Sequence, residues 1–230
     1  MSEPEPRRGR AHDAEGAREA ILNAAEEVFS EHGFDGARID AISKASSYNS
    51  SLIFHYFGDK LGLYAEVVKR ADREMTALQV RVLAPLLEEE TNASNAHAFK
   101  ALLAKTVTIL FDYLVEHPRF MRMLLWEQAE GWQTYSRIFS QFNTEDSEPL
   151  EVLFRKAHSA GLLRSDFAPL IQLAMILQIC MSYLTFIPLY EMVLPPNEDL
   201  FSAVALKRAQ EYIVDFVVHG MMIDLPETKP

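Results

Sequence analysis

Residues with side chains suited to an extended polyanion lie between positions 38 and 60 of this 230-residue chain. Ser50 and Ser51 open a short amphipathic stretch, where small hydroxyl side chains let a helix backbone come close to another surface. Lys60 opens the next helical pattern, where its cation and nearby free amides can hold a phosphate. We therefore predict contact with double-stranded DNA. The expected base contacts are Ser50, Ser51 and Leu52, the expected phosphate contacts are Arg38, His55, Tyr56 and Lys60, and Phe54 shares their face.

Two short helices joined by a tight turn are needed to position these side chains. Apolar residues recur at three-residue spacing in the first helix, 37–45: Ile39, Ile42 and Ala45. Residues 46–48 interrupt this pattern, and Asn49 is a good N-cap for a second helix because its side-chain oxygen can accept a bond from a free amide. Ile53 and Phe57 are four positions apart and should point to the core. The serines then lie on the opposite side, as in a helix-turn-helix.

A third helix is predicted before this pair, over Arg18–Glu31, with Gly33 as its C-cap. Its inward stripe comprises Ile21, Ala24, Ala25, Val28 and Phe29. The predicted core of the three helices comprises Ile21, Ala25, Phe29, Phe34, Ile39, Ile42, Ile53 and Phe57. Residues 1–14 are rich in Pro, Arg and Glu and are expected to be disordered. Their arginines form either a solvated tail or an arm that reaches a DNA groove.

This region resembles the N-terminal domain of TetR-type transcriptional regulators. The resemblance lies in REAILNAAEEVFSEHGF at 18–34, IDAISKA, SLIFHYFGDK and the following GLYAEV. It implies an all-helical homodimer that binds a palindromic operator and releases it when a small molecule enters the C-terminal domain. The family has a glycine in the turn where this chain has Ser47, which must take or avoid a left-handed backbone.

The predicted fold class is all-α, with an N-terminal helix-turn-helix domain and a larger helical ligand-binding and dimerisation domain. The domain limits are 1–14 for the tail, 15–62 for the DNA-binding domain and 63–225 for the second domain. Further helices are predicted over 60–87, 96–116, 118–131, 132–142, 148–160, 168–193 and 200–219. The helix 60–87 would link the two domains, so tilting it would move the DNA-reading helix.

A pocket for an unknown, largely apolar effector is predicted in the second domain. Its candidate lining is Phe111, Met121, Trp126, Gln172, Met175, Ile179 and Tyr183. A glutamine in an apolar run needs a hydrogen-bond partner, and a ligand is one candidate. The alternative is that these residues are ordinary core.

The last two helices are predicted to form half of a four-helix homodimer interface. The stretch 168–193 is apolar on two sides, so one side can face the core and the other a partner. The predicted inward residues of the last helix are Ala205, Ala209, Tyr212, Ile213, Phe216 and Val217. A monomer core is the alternative. A membrane span over 168–189 is disfavoured because it contains Gln172, Gln178 and Pro188 and lacks a flanking basic cluster.

The remaining composition predicts a cytoplasmic protein without catalytic, metal or cofactor chemistry. Cys180 is the single cysteine, lies in an apolar run and is expected to be an inert thiol. The seven histidines are scattered without metal-ligand spacing. Glu127 and Glu130 lack an evident partner and are expected on a solvated face. The net charge of −11 requires the positive charge to be local to the DNA contact.

The function predicted from these features is a homodimeric repressor released from its operator by a small ligand. One alternative is a DNA-binding protein of the same fold that has no small-molecule effector. The other is a helical small-molecule carrier or enzyme. Failure to bind DNA at low salt would favour the second alternative, and absence of stabilisation by any apolar compound would favour the first.

Overall fold

The computed structural model describes residues 8–87, 95–142, 148–164, 167–194 and 199–223, and these are helical almost throughout. The helices are α1 (Arg8–Gly36), α2 (Ile39–Ser46), α3 (Ser50–Phe57), α4 (Lys60–Leu87), α5 (Ala96–Glu116), α6 (Pro118–Ala129), α7 (Gln133–Ile138), α8 (Glu148–Ser159), α9 (Pro169–Val193) and α10 (Ala203–Met221). A 3₁₀ turn follows α7 over Phe139–Gln141. Within the described residues, an antiparallel bridge pairs Leu163 with Met222. The predicted all-α class is confirmed.

The chain forms two compact units whose limits differ from the predicted ones. The N-terminal unit comprises the described residues of 1–74 and 118–143, and the C-terminal unit comprises those of 75–117 and 144–230. The first unit thus contains α6 and α7, because α6 packs along α1. The division falls within α4 rather than at residue 62.

The core of the N-terminal unit contains all eight residues predicted for it, with Ile39 only partly buried. Other helices complete it with Leu63, Tyr64, Val67, Val68, Met123 and Ile138. The expectation that Ala45 points inward is wrong, because Ala45 is exposed and Ser46 is buried in its place. Burial of this serine is tolerated because its hydroxyl hydrogen-bonds to the Ser43 carbonyl and accepts a bond from the Tyr48 amide.

Helix α1 begins at Arg8, earlier than the predicted Arg18, so part of the expected tail is helical; residues 1–7 lie outside the described residues. Gly33 has φ 66° and ψ −178°, a conformation confined almost entirely to glycine, and it kinks the helix where a C-cap was predicted. A Cβ at Gly33 would lie 3.0 Å from the Trp126 ring. The Trp126 Nε1 donates to the Ser30 carbonyl at 3.1 Å, so this close packing fixes α6 on α1.

In the C-terminal unit, α5 packs against α9 and α10, and α8 packs against α9. Cys180 is fully buried, and burial raises the pKa of its thiol to about 12, in accord with the predicted inert thiol. By length and composition α9 could cross a membrane, but core helices of soluble proteins pass the same test. A turn is expected at Pro195 and Pro196, but both lie outside the described residues.

The expectation that Tyr212 and Phe216 of α10 point inward is wrong. Ile213 and Val217 are buried as predicted, but Tyr212 and Phe216 are 71% and 55% exposed. Their rings stack on each other at 6.4 Å between centroids. The polar Gln210 is buried instead, and its Nε2 donates to the Asp112 carboxylate. The side of α10 that faces α5 is therefore partly polar, which leaves an aromatic pair on the surface.

Candidate nucleic-acid interface

The turn between α2 and α3 is held by side-chain hydrogen bonds. Ser47 has φ 64° and ψ 18°, so the serine does adopt the left-handed conformation that a glycine would take more easily. The Ser43 hydroxyl donates to the Tyr48 carbonyl at 2.6 Å. Asn49 is the N-cap as predicted, since its Oδ1 accepts from the Leu52 amide at 2.9 Å. These bonds fix the start of α3.

Helix α3 turns its predicted DNA-contacting side chains away from the core of the N-terminal unit. Ile53 and Phe57 are buried, as their four-residue spacing predicted. Ser51, Phe54 and His55 are exposed, whereas Ser50, Leu52 and Tyr56 are partly buried. Leu52 and Tyr56 also pack on the core, which limits their freedom to reach outward. The exposures fit the predicted face, and the DNA contacts themselves stay predictions.

Two of the predicted phosphate ligands have different surroundings. Arg38 is exposed at the N-cap position of α2, and its side chain does not cap the first amides of that helix. Lys60 instead lies against the end of α1: its Nζ is 4.6 Å from the Phe34 ring centroid and donates to the Asp35 carbonyl at 3.3 Å. Burial lowers the pKa of Lys60, while the charges of Asp35 and Glu130 oppose that effect. Because the Lys60 ammonium has three N–H donors, its bond to the Asp35 carbonyl is compatible with a further bond to a phosphate.

Two acidic residues of α1 pair with arginines of other helices. Glu26 pairs with Arg70 of α4, and Glu27 pairs with Arg119 of α6 at 3.1 Å. Arg18 of α1 pairs in turn with Glu66 of α4. These pairs reduce the repulsion that unpaired carboxylates would exert on a nucleic acid.

Glu127 of α6 is a structural residue that the sequence reasoning misread. It is 2% exposed, so the expectation of a solvated face is wrong for this residue. The Tyr64 hydroxyl donates to its Oε1 at 2.6 Å, and the Tyr135 amide donates to its Oε2 at 3.0 Å. Burial and this carboxylate raise the pKa of the Tyr64 hydroxyl. Its position four residues after the buried Met123 was the available signal, because both lie on one side of α6.

The residues predicted to line an effector pocket are divided between the two units. Met121 and Trp126 belong to α6 in the N-terminal unit, and the other five belong to the C-terminal unit. Phe111 and Tyr183 are neighbours, with ring centroids 6.2 Å apart. Gln172 needs no ligand, since its Nε2 donates to the Phe167 carbonyl at 2.7 Å. Met175 is 49% exposed.

A cleft of about 260 Å³ lies between α5 and α10 in the C-terminal unit. Its lining contains none of the predicted effector-binding residues and comprises Lys100, Ala104, Thr108, Lys207, Gln210, Glu211, Val214, Asp215 and Val218. Charged residues of both signs border it, so its chemistry differs from that of the predicted apolar pocket.

Two family models match this chain, one in its N-terminal part and one in its C-terminal part. The family model described as "Bacterial regulatory proteins, tetR family" matches residues 21–67, and "Tetracyclin repressor-like, C-terminal domain" matches residues 100–217. The chain is 28% identical over 177 residues to the HTH-type transcriptional repressor NicS of Pseudomonas putida, covering 76% of this chain and 78% of that protein. It is 31% identical over 120 residues to the HTH-type transcriptional repressor SCO4008 of Streptomyces coelicolor, covering 52% of this chain and 54% of that protein.

Solved structures agree with this assignment. The putative transcriptional regulator SCO4942 of Streptomyces coelicolor has a TM-score of 0.58 and 27% identity, covering 89% of this chain and 98% of that one. FadR of Bacillus subtilis, solved in complex with stearoyl-CoA, has a TM-score of 0.58 at 17% identity, covering 88% and 98%, which shows the fold alone. The fold and the exposed helix-turn-helix define a DNA-binding transcription regulator. The chain belongs to the TetR family.

Proposed function

We propose that the protein is a homodimeric repressor that binds a palindromic operator and is released from it by a small, largely apolar ligand. The observation that carries the proposal is α3, whose serine-fronted side is exposed at the end of a hydrogen-bonded turn. Each subunit would place α3 in the major groove, with half-sites about one helical turn apart or slightly more. Ser51 would meet base edges, and Arg38 and Lys60 would hold phosphates.

Exposed apolar side chains on α9 and α10 support pairing with a second copy. They include Ile171, Met175, Phe186, Leu189, Met192, Val204, Tyr212 and Phe216. Such a concentration of large apolar groups on the surface of one chain marks an interaction site. A second copy is the proposed partner, because an operator palindrome requires two α3 helices at a fixed separation.

Release by a ligand requires that the ligand bind better to a dimer whose α3 helices no longer match the operator. Helix α4 contributes residues to both units, so a change in its tilt would move the N-terminal unit. Ile179 and Tyr183 are partly exposed and offer apolar and aromatic surface for the ligand, with the buried Phe111 ring next to Tyr183. The fold relative FadR was solved with stearoyl-CoA, a ligand with a long apolar chain.

Selection of bound fragments from random DNA tests the proposal. A palindrome whose half-sites are separated by about one helical turn should emerge. Enrichment of no sequence at low salt would remove the DNA-binding role. Enrichment of a single asymmetric site would remove the dimer.

Substitutions of Ser51 and Lys60 should separate base contacts from phosphate contacts. Ser51→Leu should weaken binding to the selected operator by about tenfold or more, because the larger side chain blocks close approach to base edges. Its affinity for random DNA should change little. Lys60→Ala should weaken binding to every sequence and lower the steepness of the salt dependence. Fluorescence anisotropy over a salt series measures both. Equal losses on operator and random DNA for the two variants would contradict this division of roles.

Charging the aromatic pair of α10 should disrupt the dimer. The double variant Tyr212→Asp, Phe216→Asp places two carboxylates on the proposed interface, where they would be desolvated without partners. We expect a monomer by analytical ultracentrifugation and operator binding at least tenfold weaker. Phe139→Asp, at a residue 49% exposed in the N-terminal unit, is the control and should remain dimeric. A wild-type protein that is already monomeric would contradict the proposal.

A further inference from the structure

Two cations from different helices lie on one aromatic ring in the N-terminal unit. Phe34, near the end of α1, is 8% exposed. The Lys60 Nζ lies 4.6 Å from its ring centroid, and the Arg137 Cζ lies 5.7 Å from the same centroid. Both distances are within the range of a cation–π contact. Arg137 belongs to α7, outside the helix-turn-helix, yet it shares this ring with Lys60, a predicted phosphate ligand.

Arg137 differs from three other arginines of its unit in its partners. Arg18, Arg70 and Arg119 each pair with a carboxylate. Arg137 is exposed, and within the described part of the chain neither a hydrogen bond nor an ion pair engages its guanidinium. Contact with a ring leaves the N–H groups of a guanidinium free to donate, and these match two phosphate oxygens at once.

The local charge also favours a second cation beside Lys60. Asp35 and Glu130 act electrostatically on Lys60, so two carboxylates lie near the single ammonium of Lys60. A phosphate approaching Lys60 alone would meet net repulsion from these groups. Arg137 brings these groups to two cations against two carboxylates, so its charge offsets that repulsion, and its guanidinium adds N–H donors for the anion.

We propose that Arg137 of α7 is a DNA phosphate ligand that works beside Lys60 and extends the interface beyond the helix-turn-helix. The inference rests on the proposed DNA-binding function. Because it concerns the sugar-phosphate backbone, Arg137 strengthens binding to all sequences and does not choose among them.

The test compares Arg137→Ala with Arg122→Ala in the full-length chain. Arg122 is an exposed arginine of α6 in the same unit and does not lie on Phe34. Its replacement by alanine removes the same charge. Affinity is measured by fluorescence anisotropy against the selected operator and a random duplex over a salt series. Arg137→Ala should bind both about tenfold more weakly, the loss of one charge-assisted hydrogen bond, and should lower the salt slope by about 1 per subunit. Arg122→Ala should match the wild type.

Two further variants of Arg137 distinguish loss of a phosphate contact from a folding defect. Arg137→Gln retains a stem that covers Phe34 and should reproduce the loss, whereas Arg137→Lys should retain most of the salt slope because the charge remains. Equal behaviour of Arg137→Ala and Arg122→Ala on a wild-type background that binds DNA would overturn the inference and leave the proposed function standing. Failure of the wild type to bind either duplex would overturn the proposed function itself.

Discussion

Replacing Gly62 with alanine should destabilise the protein by about 2–3 kcal/mol, although the same change in an open helix is stabilising. Gly62 lies in the first turn of α4, and a Cβ there would be 2.1 Å from the Phe57 carbonyl oxygen at the end of α3. This oxygen belongs to the backbone, so the clash can be relieved only by moving α3 away from α4. The free energy of unfolding, from urea titration followed by circular dichroism, measures the effect.

Gly16→Ala is the matched control for this prediction. Gly16 lies within α1, and a Cβ there would meet nothing within 4 Å. Alanine loses less backbone entropy than glycine, so this variant should be more stable than the wild type by about 0.5–1 kcal/mol. The two variants should thus shift the urea midpoint in opposite directions. A Gly62→Ala protein as stable as Gly16→Ala would show that α3 and α4 do not approach as closely as described.

The same clash predicts a functional effect. Gly62 and Asp59 form the junction that places α3, since the Gly62 amide donates to the Asp59 Oδ1 at 2.7 Å. Displacing α3 would change the angle at which its exposed side enters a groove. Operator affinity of the folded Gly62→Ala variant should therefore fall more than its affinity for random DNA.

The helix-turn-helix could be predicted from the sequence because its determinants are local. Spacing of Ile53 and Phe57 defined the buried side of α3, and Asn49 defined its first residue. The turn at Ser47 was recognised from the position of a missing glycine, although only the structure shows the left-handed backbone. Local periodicity and capping thus sufficed for this part of the fold.

Features that depend on contacts between distant helices could not be predicted in this way. Glu127 finds hydrogen-bond partners that periodicity does not reveal, because the Tyr64 hydroxyl belongs to α4 and the Tyr135 amide to α7. The apolar pattern of α10 likewise does not say whether Phe216 faces its own core or a second chain. The pairing of Arg137 with Phe34 joins residues about one hundred positions apart.

Removing the Glu127 carboxylate should cost about 3–5 kcal/mol in the free energy of unfolding. Glu127→Ala leaves the Tyr64 hydroxyl and the Tyr135 amide as buried donors without an acceptor and also leaves a cavity. Glu127→Gln should cost less, since its single oxygen can accept from the Tyr135 amide and the rotatable Tyr64 hydroxyl can accept from its NH₂ group. Glu27→Ala is the control: it removes an ion pair whose side chains are both 50% exposed, and it should change stability by less than about 1 kcal/mol.

The pH dependence of stability gives a second measurement of the Glu127–Tyr64 bond. The pKa of Tyr64 in the folded protein is raised above its ordinary value of 10.0, mainly by burial and further by the bond to Glu127. As pH rises past 10, the unfolded chain therefore loses this proton before the folded chain does, and the free energy of unfolding should fall. Tyr64→Phe cannot ionise, so its stability should fall less steeply over that range. Parallel alkaline curves for the two proteins would mean that Tyr64 ionises equally in both states, which a hydroxyl donating to a buried carboxylate cannot do.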